Sequence, residues 1–149
     1  MVRPLLRVPY YGNAVIGQGL IIESLEVIDP YCAAGEESRE KLQDFIRKFI
    51  KDVGVAEKVT IICKEQREEN HFHTTRLTEV RLTQLRIIDP VVKVLRDSKW
   101  TFHDREIKIN IADQQSGETS NFQYILTGGI DYLMNPKAIT KVIVRKLNN

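Results

Sequence analysis

A helical pattern set between two short apolar runs constrains the fold of this chain more than any other feature. The first run, LIIESLEVI at residues 20–28, ends before Asp29-Pro30, where proline holds the preceding residue extended. The second run, KVTIICK at residues 58–64, is rich in residues that favour strands. A strand, a helix and a second strand in this order predict a parallel pair joined by a right-handed crossover.

The helix between these runs is predicted over residues 38–53. Ser38 stands where an N-cap is favoured, and Gly54 stands where a residue in the left-handed conformation would end the helix. Six apolar residues recur at helical spacing and would cover one face: Leu42, Phe45, Ile46, Phe49, Ile50 and Val53. This face is expected to pack over the two strands.

The polar residues 64–76 predict a loop that contains His71 and His73. These two histidines could face the same way as metal ligands, but no third ligand is spaced nearby, so we interpret them as loop residues. A second helix is expected after the loop, with Leu82 off its apolar arc. That arc consists of Leu77, Val80, Leu85 and Ile88.

The remainder of the chain is predicted to consist mostly of strands. Asp89-Pro90 is expected to mark a boundary between the second helix and the next segment. That segment, VVKVLRD at residues 91–97, is either a last helical turn or a strand, and its valines favour the strand. REIKINI at residues 105–111 alternates between apolar and polar residues, as a half-buried strand does. A turn-rich connection over 112–121 and strands over 122–129 and 141–147 follow. We expect one α/β domain over residues 1–149, with a mixed central sheet flanked by helices.

The composition limits the classes of function that the chain supports. Its 22 basic and 20 acidic residues leave a net charge of +2, so any anion site must be local rather than part of a global field. Cys32 and Cys63 lie in or beside apolar runs without metal-ligand spacing, which favours reduced, buried thiols and a cytoplasmic location. No apolar stretch reaches the roughly 18 residues that a membrane span needs, and no signal peptide is predicted.

The stretch TFHDREIKIN, residues 101–110, brings together one histidine and several acidic and basic side chains that could form a functional site. We expect His103 and Arg105 to form the edge of a phosphate site on the polar face of this strand, with Ile107 and Ile109 on its apolar face. In the alternative interpretation, His103, Asp104 and Arg105 form a local ion-pair network that anchors the hairpin and binds no ligand.

The order of the motifs resembles that of the phospholipase D superfamily. The superfamily motif is a histidine, any residue, a lysine, four residues and an aspartate, with glycine-serine-x-asparagine downstream. Here His103 takes the histidine place, Arg105 the lysine place and Asn110 the aspartate place. Gly128, Gly129 and Asp131 stand where the glycine, serine and asparagine would be, although two glycines after a strand are also typical of a simple turn.

A narrower resemblance rests on the segments EVIDPY, HDREIKIN and GIDYLMNP. They are similar to the phospholipase D-like C-terminal domains of the MIT-domain cytokinesis protein family, over approximately residues 20–147. This resemblance implies a phospholipase D-like layered domain. It also implies binding of a phosphate ligand such as an anionic phospholipid headgroup, with peripheral membrane contact.

The resemblance also implies which groups hydrolysis would require. Phosphodiesterases of the superfamily use one histidine as nucleophile and a second as general acid, so two copies of this chain would have to pair as a symmetric homodimer around His103. Asp131 in the asparagine place would repel phosphate by roughly 1–4 kcal/mol at about 4 Å. Asn110 does not supply the acid that would orient a histidine, whereas Arg105 keeps a positive charge suited to phosphate.

We therefore expect a homodimeric module that binds phosphate through His103, Arg105 and the residues aligned with the superfamily motif, and that has little or no catalytic activity. The alternative is a homodimeric phosphodiesterase, either a phospholipase or a nuclease acting on nucleic acid, with His103 and Arg105 as its catalytic residues. Neither interpretation calls for a metal or an organic cofactor.

Overall fold

The computed structural model describes residues 20–50, 56–66, 69–96, 105–126 and 142–147. Their helices and strands are β1 (Leu20–Ile28), α1 (Glu36–Ile50), β2 (Ala56–Lys64), α2 (His71–Thr83), β3 (Ile87–Leu95), β4 (Arg105–Asp113), β5 (Thr119–Leu126) and β6 (Val142–Leu147). The strands form one sheet in the order β3-β2-β1-β4-β5-β6. β1, β2 and β3 are parallel, whereas β4, β5 and β6 pair in antiparallel fashion. The predicted α/β architecture with a mixed sheet is confirmed.

The core lies on one face of this sheet, which we call the helix face. The pairing register puts Val59 of β2 and Ile109 of β4 on either side of Leu25 in β1, and all three are almost completely buried. α1 and α2 pack over this face, as right-handed crossovers between parallel strands require. The opposite face is more polar. At strand positions that alternate with the buried ones it carries three exposed lysines: Lys58, Lys93 and Lys108.

α1 begins at Glu36 and not at the predicted N-cap Ser38. The backbone N–H of Arg39 donates to the carbonyl of Gly35 at 2.9 Å, so the helical hydrogen bonds have already begun before Ser38 could cap them. Acidic residues in the first turn also favour the earlier start, because they complement the positive end of the helix dipole. The predicted helix end at Val53 and Gly54 lies outside the described residues.

α2 corrects the predicted loop over residues 64–76, because the helix starts at His71. The side chain of Asn70 accepts a hydrogen bond from the backbone N–H of His73 at 2.8 Å and so caps the helix. Polar composition suggested a loop, yet Thr74 and Thr78 form part of the buried side of α2. The hydroxyl of Thr78 donates to the carbonyl of Thr74, so its polar atom is satisfied within the helix.

The predicted apolar arc of the second helix is wrong. Leu82, which falls off that arc, is fully buried, whereas Val80 is 50% exposed and Ile88 is 72% exposed. α2 ends at Thr83, so Ile88 belongs to the next strand instead.

β3 starts at Ile87 and therefore runs through Asp89-Pro90. The predicted strand after Pro90 is confirmed, but the proline does not interrupt it. β3 is an edge strand, and a proline there can leave its missing N–H on the unpaired side.

The β4–β5 hairpin is tighter than the predicted connection over residues 112–121. Its turn occupies residues 114–116, because β4 continues to Asp113 and β5 already begins at Thr119. Gly117 has a φ of 74°, a left-handed conformation that favours glycine. β6 agrees with the predicted last strand to within one residue at its start.

Candidate functional site

The structure describes Arg105 and Asn110 among the six residues predicted to bind phosphate. The other four lie outside the described residues: His103, Gly128, Gly129 and Asp131.

Arg105 lies on the helix face, so its predicted place on the polar face of the strand is wrong. β4 pairs with β5 in continuous register from Arg105 to Ala112, and alternate side chains therefore point the same way. Arg105 consequently shares the face of Ile107 and Ile109, both of which are buried. It is the first residue of β4 and lies just beyond the core, where its side chain is 24% exposed.

Asn110 lies on the opposite face and does not join Arg105 in one site. Its amide nitrogen donates to Glu23 Oε2 at 3.3 Å, while its Oδ1 is buried and has no hydrogen-bond partner among the described residues. Asn110 lies five positions further along the strand than Arg105, a distance of about 17 Å at about 3.4 Å per residue.

A group of polar and aromatic side chains meets Arg105 where the parallel strands end. β1 and β2 finish there, and the antiparallel β4 starts there because its Glu106 pairs with Ile28. We call the group formed by Asp29, Tyr31, Lys64 and Arg105 the carboxyl-edge cluster. Ligands of open α/β sheets are commonly bound beyond the carboxyl ends of the strands.

The segment from Asp29 to Tyr31 extends the sheet before it turns into α1. The backbone N–H of Asp29 donates to the carbonyl of Ile62 at 3.1 Å, and that of Lys64 donates to the carbonyl of Pro30 at 3.0 Å. The carboxylate of Asp29, which is 2% exposed, accepts a hydrogen bond from the backbone N–H of Tyr31 at 2.8 Å. This Asx turn fixes the backbone that presents the half-exposed ring of Tyr31.

Two cations approach the ring of Tyr31. Lys64 Nζ lies 5.2 Å and Arg105 Cζ lies 6.0 Å from the ring centroid, both within the range of a cation–π contact. Arg105 Nε is 3.9 Å from Asp29 Oδ1, which allows electrostatic attraction but is too long for a hydrogen bond. This Nε is buried and lacks a hydrogen-bond partner among the residues that the structure describes.

A buried arginine holds together the two loops around the cluster. Arg39 is 4% exposed, and its Nη1 donates to the carbonyl of Ala33 at 3.2 Å and to Glu69 Oε1 at 2.9 Å. The hydroxyl of Thr74 donates to the same Glu69 oxygen at 2.6 Å. The β1–α1 loop, the β2–α2 loop and the start of α2 are therefore fixed to one another through Arg39 and Glu69.

Cys32 and Cys63 lie close to this cluster but are poor nucleophiles. Burial raises the pKa of Cys32 well above its ordinary value, and the neighbouring Cys63 and Asp29 raise it further. Burial, together with the Asp29 carboxylate, raises the pKa of Cys63 to about 12. Both thiols are therefore protonated at neutral pH, and a protonated thiol neither attacks a substrate nor binds a metal well.

The described part of the chain contains no group of three histidine, cysteine, aspartate or glutamate residues that is placed to hold a metal ion. Neither of the helices described in it is long and apolar enough to cross a membrane.

Sequence reasoning identified Arg105 but assigned no role to Asp29, Tyr31 or Lys64. The DPY segment supplied a signal, since it carries part of the family resemblance, whereas nothing in the local sequence of Lys64 indicates a site. No protein-family model matches the chain, and no curated protein matches it. The resemblance to the phospholipase D superfamily therefore stays a prediction.

Proposed function

We propose that this protein is a phospholipase D-like module that binds a phosphate-bearing anion at the carboxyl-edge cluster. Arg105 is the principal contact, and Lys64 supplies a second positive charge. The observation that carries the proposal is the buried Nε of Arg105, which lacks a hydrogen-bond partner among the described residues. Buried donors in proteins are nearly always paired, so an unpaired one favours an acceptor from outside the described residues, and we propose that this acceptor is a bound anion.

The chemistry of the cluster suits phosphate better than it suits a neutral ligand. A guanidinium group presents a planar fork of donors that matches phosphate oxygens, and hydrogen bonds between ionised partners are the stronger ones. Lys64 adds a point charge within reach of the same aromatic ring. The anionic phospholipid headgroup implied by the resemblance has this phosphate chemistry.

Asp29 limits the affinity of the site. Its carboxylate faces Arg105 at 3.9 Å and so competes with an incoming anion for the guanidinium. This ion pair is also the observation that favours the alternative interpretation, in which Arg105 anchors the hairpin and binds no ligand. Removal of one partner from a buried ion pair is costly to stability. Arg105 therefore supports the free energy of unfolding in the anchoring interpretation and phosphate binding in the proposed one.

We further propose that the module acts as a homodimer and does not depend on catalysis. The rival phosphodiesterase would need His103 of two copies, and generic phosphodiester hydrolysis that disappears in His103→Ala would establish it. The cysteines near the cluster do not offer another nucleophile, because both thiols are protonated at neutral pH.

The proposal is tested by isothermal titration of the protein with inorganic phosphate at low salt. Arg105→Gln should weaken binding by about tenfold or more, since hydrogen bonds to charged groups contribute roughly 1.5–3 kcal/mol. Lys108→Gln is the matched control, because Lys108 lies on the same strand but is exposed on the opposite face.

Equal losses in Arg105→Gln and Lys108→Gln would reduce the binding to a diffuse charge effect. Unchanged phosphate binding in Arg105→Gln, together with a lower free energy of unfolding, would establish the anchoring interpretation instead.

A further inference from the structure

β3 leaves a long edge of the sheet without a neighbouring strand. It is the outermost strand and spans nine residues, and no other described strand pairs with its outer side. Strands in folded proteins average about five to six residues, and natural proteins tend to keep their edge strands very short, because unpaired backbone groups are a template for another strand. An edge of this length therefore offers room for a partner segment.

The hydrogen bonds of β3 show which of its backbone groups face outward. The carbonyl of Leu95 accepts from the backbone N–H of Glu65 at 2.8 Å, and the carbonyl of Lys93 accepts from Cys63 Sγ at 3.9 Å, so both carbonyls face β2. Successive residues of a strand direct their backbone groups to opposite sides. The N–H and C=O groups of Val92 and Val94 therefore point away from β2.

Pro90 limits the part of β3 that another strand can use. It lies two residues before Val92, so its backbone nitrogen also faces outward and has no hydrogen to donate. An added strand would lose a hydrogen bond there but could exchange hydrogen bonds with the residues that follow. We call these residues, VVKVL at 91–95, the open edge.

The side chains of the open edge differ between its two faces. Val92 and Val94 are half-buried and pack against the core on the helix face. Lys93 points to the opposite face and is exposed. A strand laid along this edge would meet apolar side chains on one face and a cation on the other, so alternating apolar and acidic residues suit it best.

The charges around the open edge favour an acidic segment over a second copy of this chain. β3 and its flanking residues carry three basic side chains and one acidic side chain: Arg86, Asp89, Lys93 and Arg96. The acidic residue lies before Pro90, outside the open edge. A second copy of β3 would bring the same cations to this edge, and like charges on paired strands are destabilising.

We propose that the open edge binds an extended acidic segment of a partner protein, which adds one more strand to the sheet. Its backbone exchanges hydrogen bonds with Val92 and Val94, an acidic side chain lies beside Lys93, and its apolar side chains extend the core of the helix face. In this mode of recognition the backbone hydrogen bonds supply affinity and the alternating side chains supply specificity. The inference goes beyond the proposed function and does not depend on the phosphate site.

The test measures the binding of two fluorescently labelled peptides by anisotropy, one that alternates valine with glutamate and one that alternates valine with lysine. Wild type should bind the glutamate peptide saturably and about fivefold or more tightly than the lysine peptide, as expected for a cross-strand charge pair. Lys93→Glu should reverse this preference. Lys108→Glu is the matched control, because Lys108 is exposed on the same face but lies on the interior strand β4, and this variant should keep the wild-type preference.

Val92→Pro tests the backbone contact. It removes an N–H from the outer side of β3 and leaves the hydrogen bonds to β2 in place, so the affinity for the glutamate peptide should fall by about fivefold or more. Thermal unfolding shows whether this variant keeps its fold. If it does not, the comparison of Lys93→Glu with Lys108→Glu decides the matter by itself.

Equal affinity of wild type for the two peptides, or equal changes in Lys93→Glu and Lys108→Glu, would overturn the inference. A wild-type dimer that dissociates in a folded Val92→Pro variant would also overturn it, because a second copy would then occupy the open edge. Neither result would change the expected binding of inorganic phosphate, so the proposed function is tested separately.

Discussion

The two ends of the sheet expose similar apolar side chains but differ in the polar groups beside them. Phe72 at the carboxyl end and Ile88 at the other end are almost equally exposed. At the carboxyl end, however, the guanidinium of Arg105 has a buried nitrogen without a hydrogen-bond partner in the described part of the chain, and two cations flank an aromatic ring. Single exposed apolar residues are normal in folded proteins, so the unsatisfied polar chemistry distinguishes the functional end.

The ends also differ in how their loops are held. At the carboxyl end, buried polar contacts of Arg39 and Asp29 fix the loops. At the other end, the β4–β5 hairpin closes through an exposed turn at residues 114–116. Substitutions of polar residues should therefore cost more stability at the carboxyl end, which the following predictions test.

The largest effect is expected for Arg39→Met. Removal of one partner from a buried charge pair costs about 3–5 kcal/mol, because the other partner is left without compensation, and Glu69 is that partner here. Arg47→Met is the control, since Arg47 pairs with Asp44 on the exposed side of the same helix and should cost at most about 0.5 kcal/mol. Urea unfolding measures the free energy of unfolding of both variants. A cost below about 1 kcal/mol for Arg39→Met would contradict the claim that Arg39 fixes the loops at the carboxyl end.

The two thiols at the carboxyl end should react slowly in the folded protein. Their raised pKa values keep them protonated, so labelling with a thiol reagent at pH 8 should be at least about a hundredfold slower than in urea-unfolded protein. The raised pKa also makes stability depend on pH. The contribution of the protonated Cys63 thiol to the free energy of unfolding is complete below about pH 8.5, the pKa of an unfolded thiol, and is lost as the pH rises toward 12. Equally fast labelling of folded and unfolded protein would mean that this end of the sheet is open.

A smaller effect is expected for Asn70→Ala, which removes the N-cap of α2. The expected loss is about 1 kcal/mol of the free energy of unfolding. Gln115→Ala, in the exposed turn at the other end, should change it by less than about 0.5 kcal/mol. Thermal unfolding of the two variants compares them, and equal losses would abolish the difference between the ends.

The sequence predicts best what local periodicity determines. The βαβ unit and the helical span from Leu42 to Ile50 follow from apolar spacing, and the structure has both. A second helix was predicted, but the start of α2 was assigned to a loop and its apolar arc was wrong, because threonines make up part of its buried side and its apolar pattern is faint. Asp89-Pro90 was expected to separate the second helix from the next strand, but β3 already begins at Ile87, since an edge position, which only the sheet order reveals, tolerates proline.

The candidate site was predicted only in part, for a related reason. Arg105 stood out from its motif, but its face was predicted wrongly, although alternation along the strand puts it on the same face as the apolar Ile107 and Ile109. Asp29, Tyr31 and Lys64 are separated from Arg105 by 41 or more residues in the chain. Strand pairing brings them together, and the register of that pairing is not visible in any one segment.

The most direct test of the central claim is a titration of isotopically labelled protein with inorganic phosphate, followed by the backbone amide resonances. The account predicts that the largest saturable shifts occur at Tyr31, Lys64 and Arg105, and that Arg105→Gln abolishes their saturation. Shifts that concentrate around Asn110 on the opposite face, or that persist unchanged in Arg105→Gln, would contradict it.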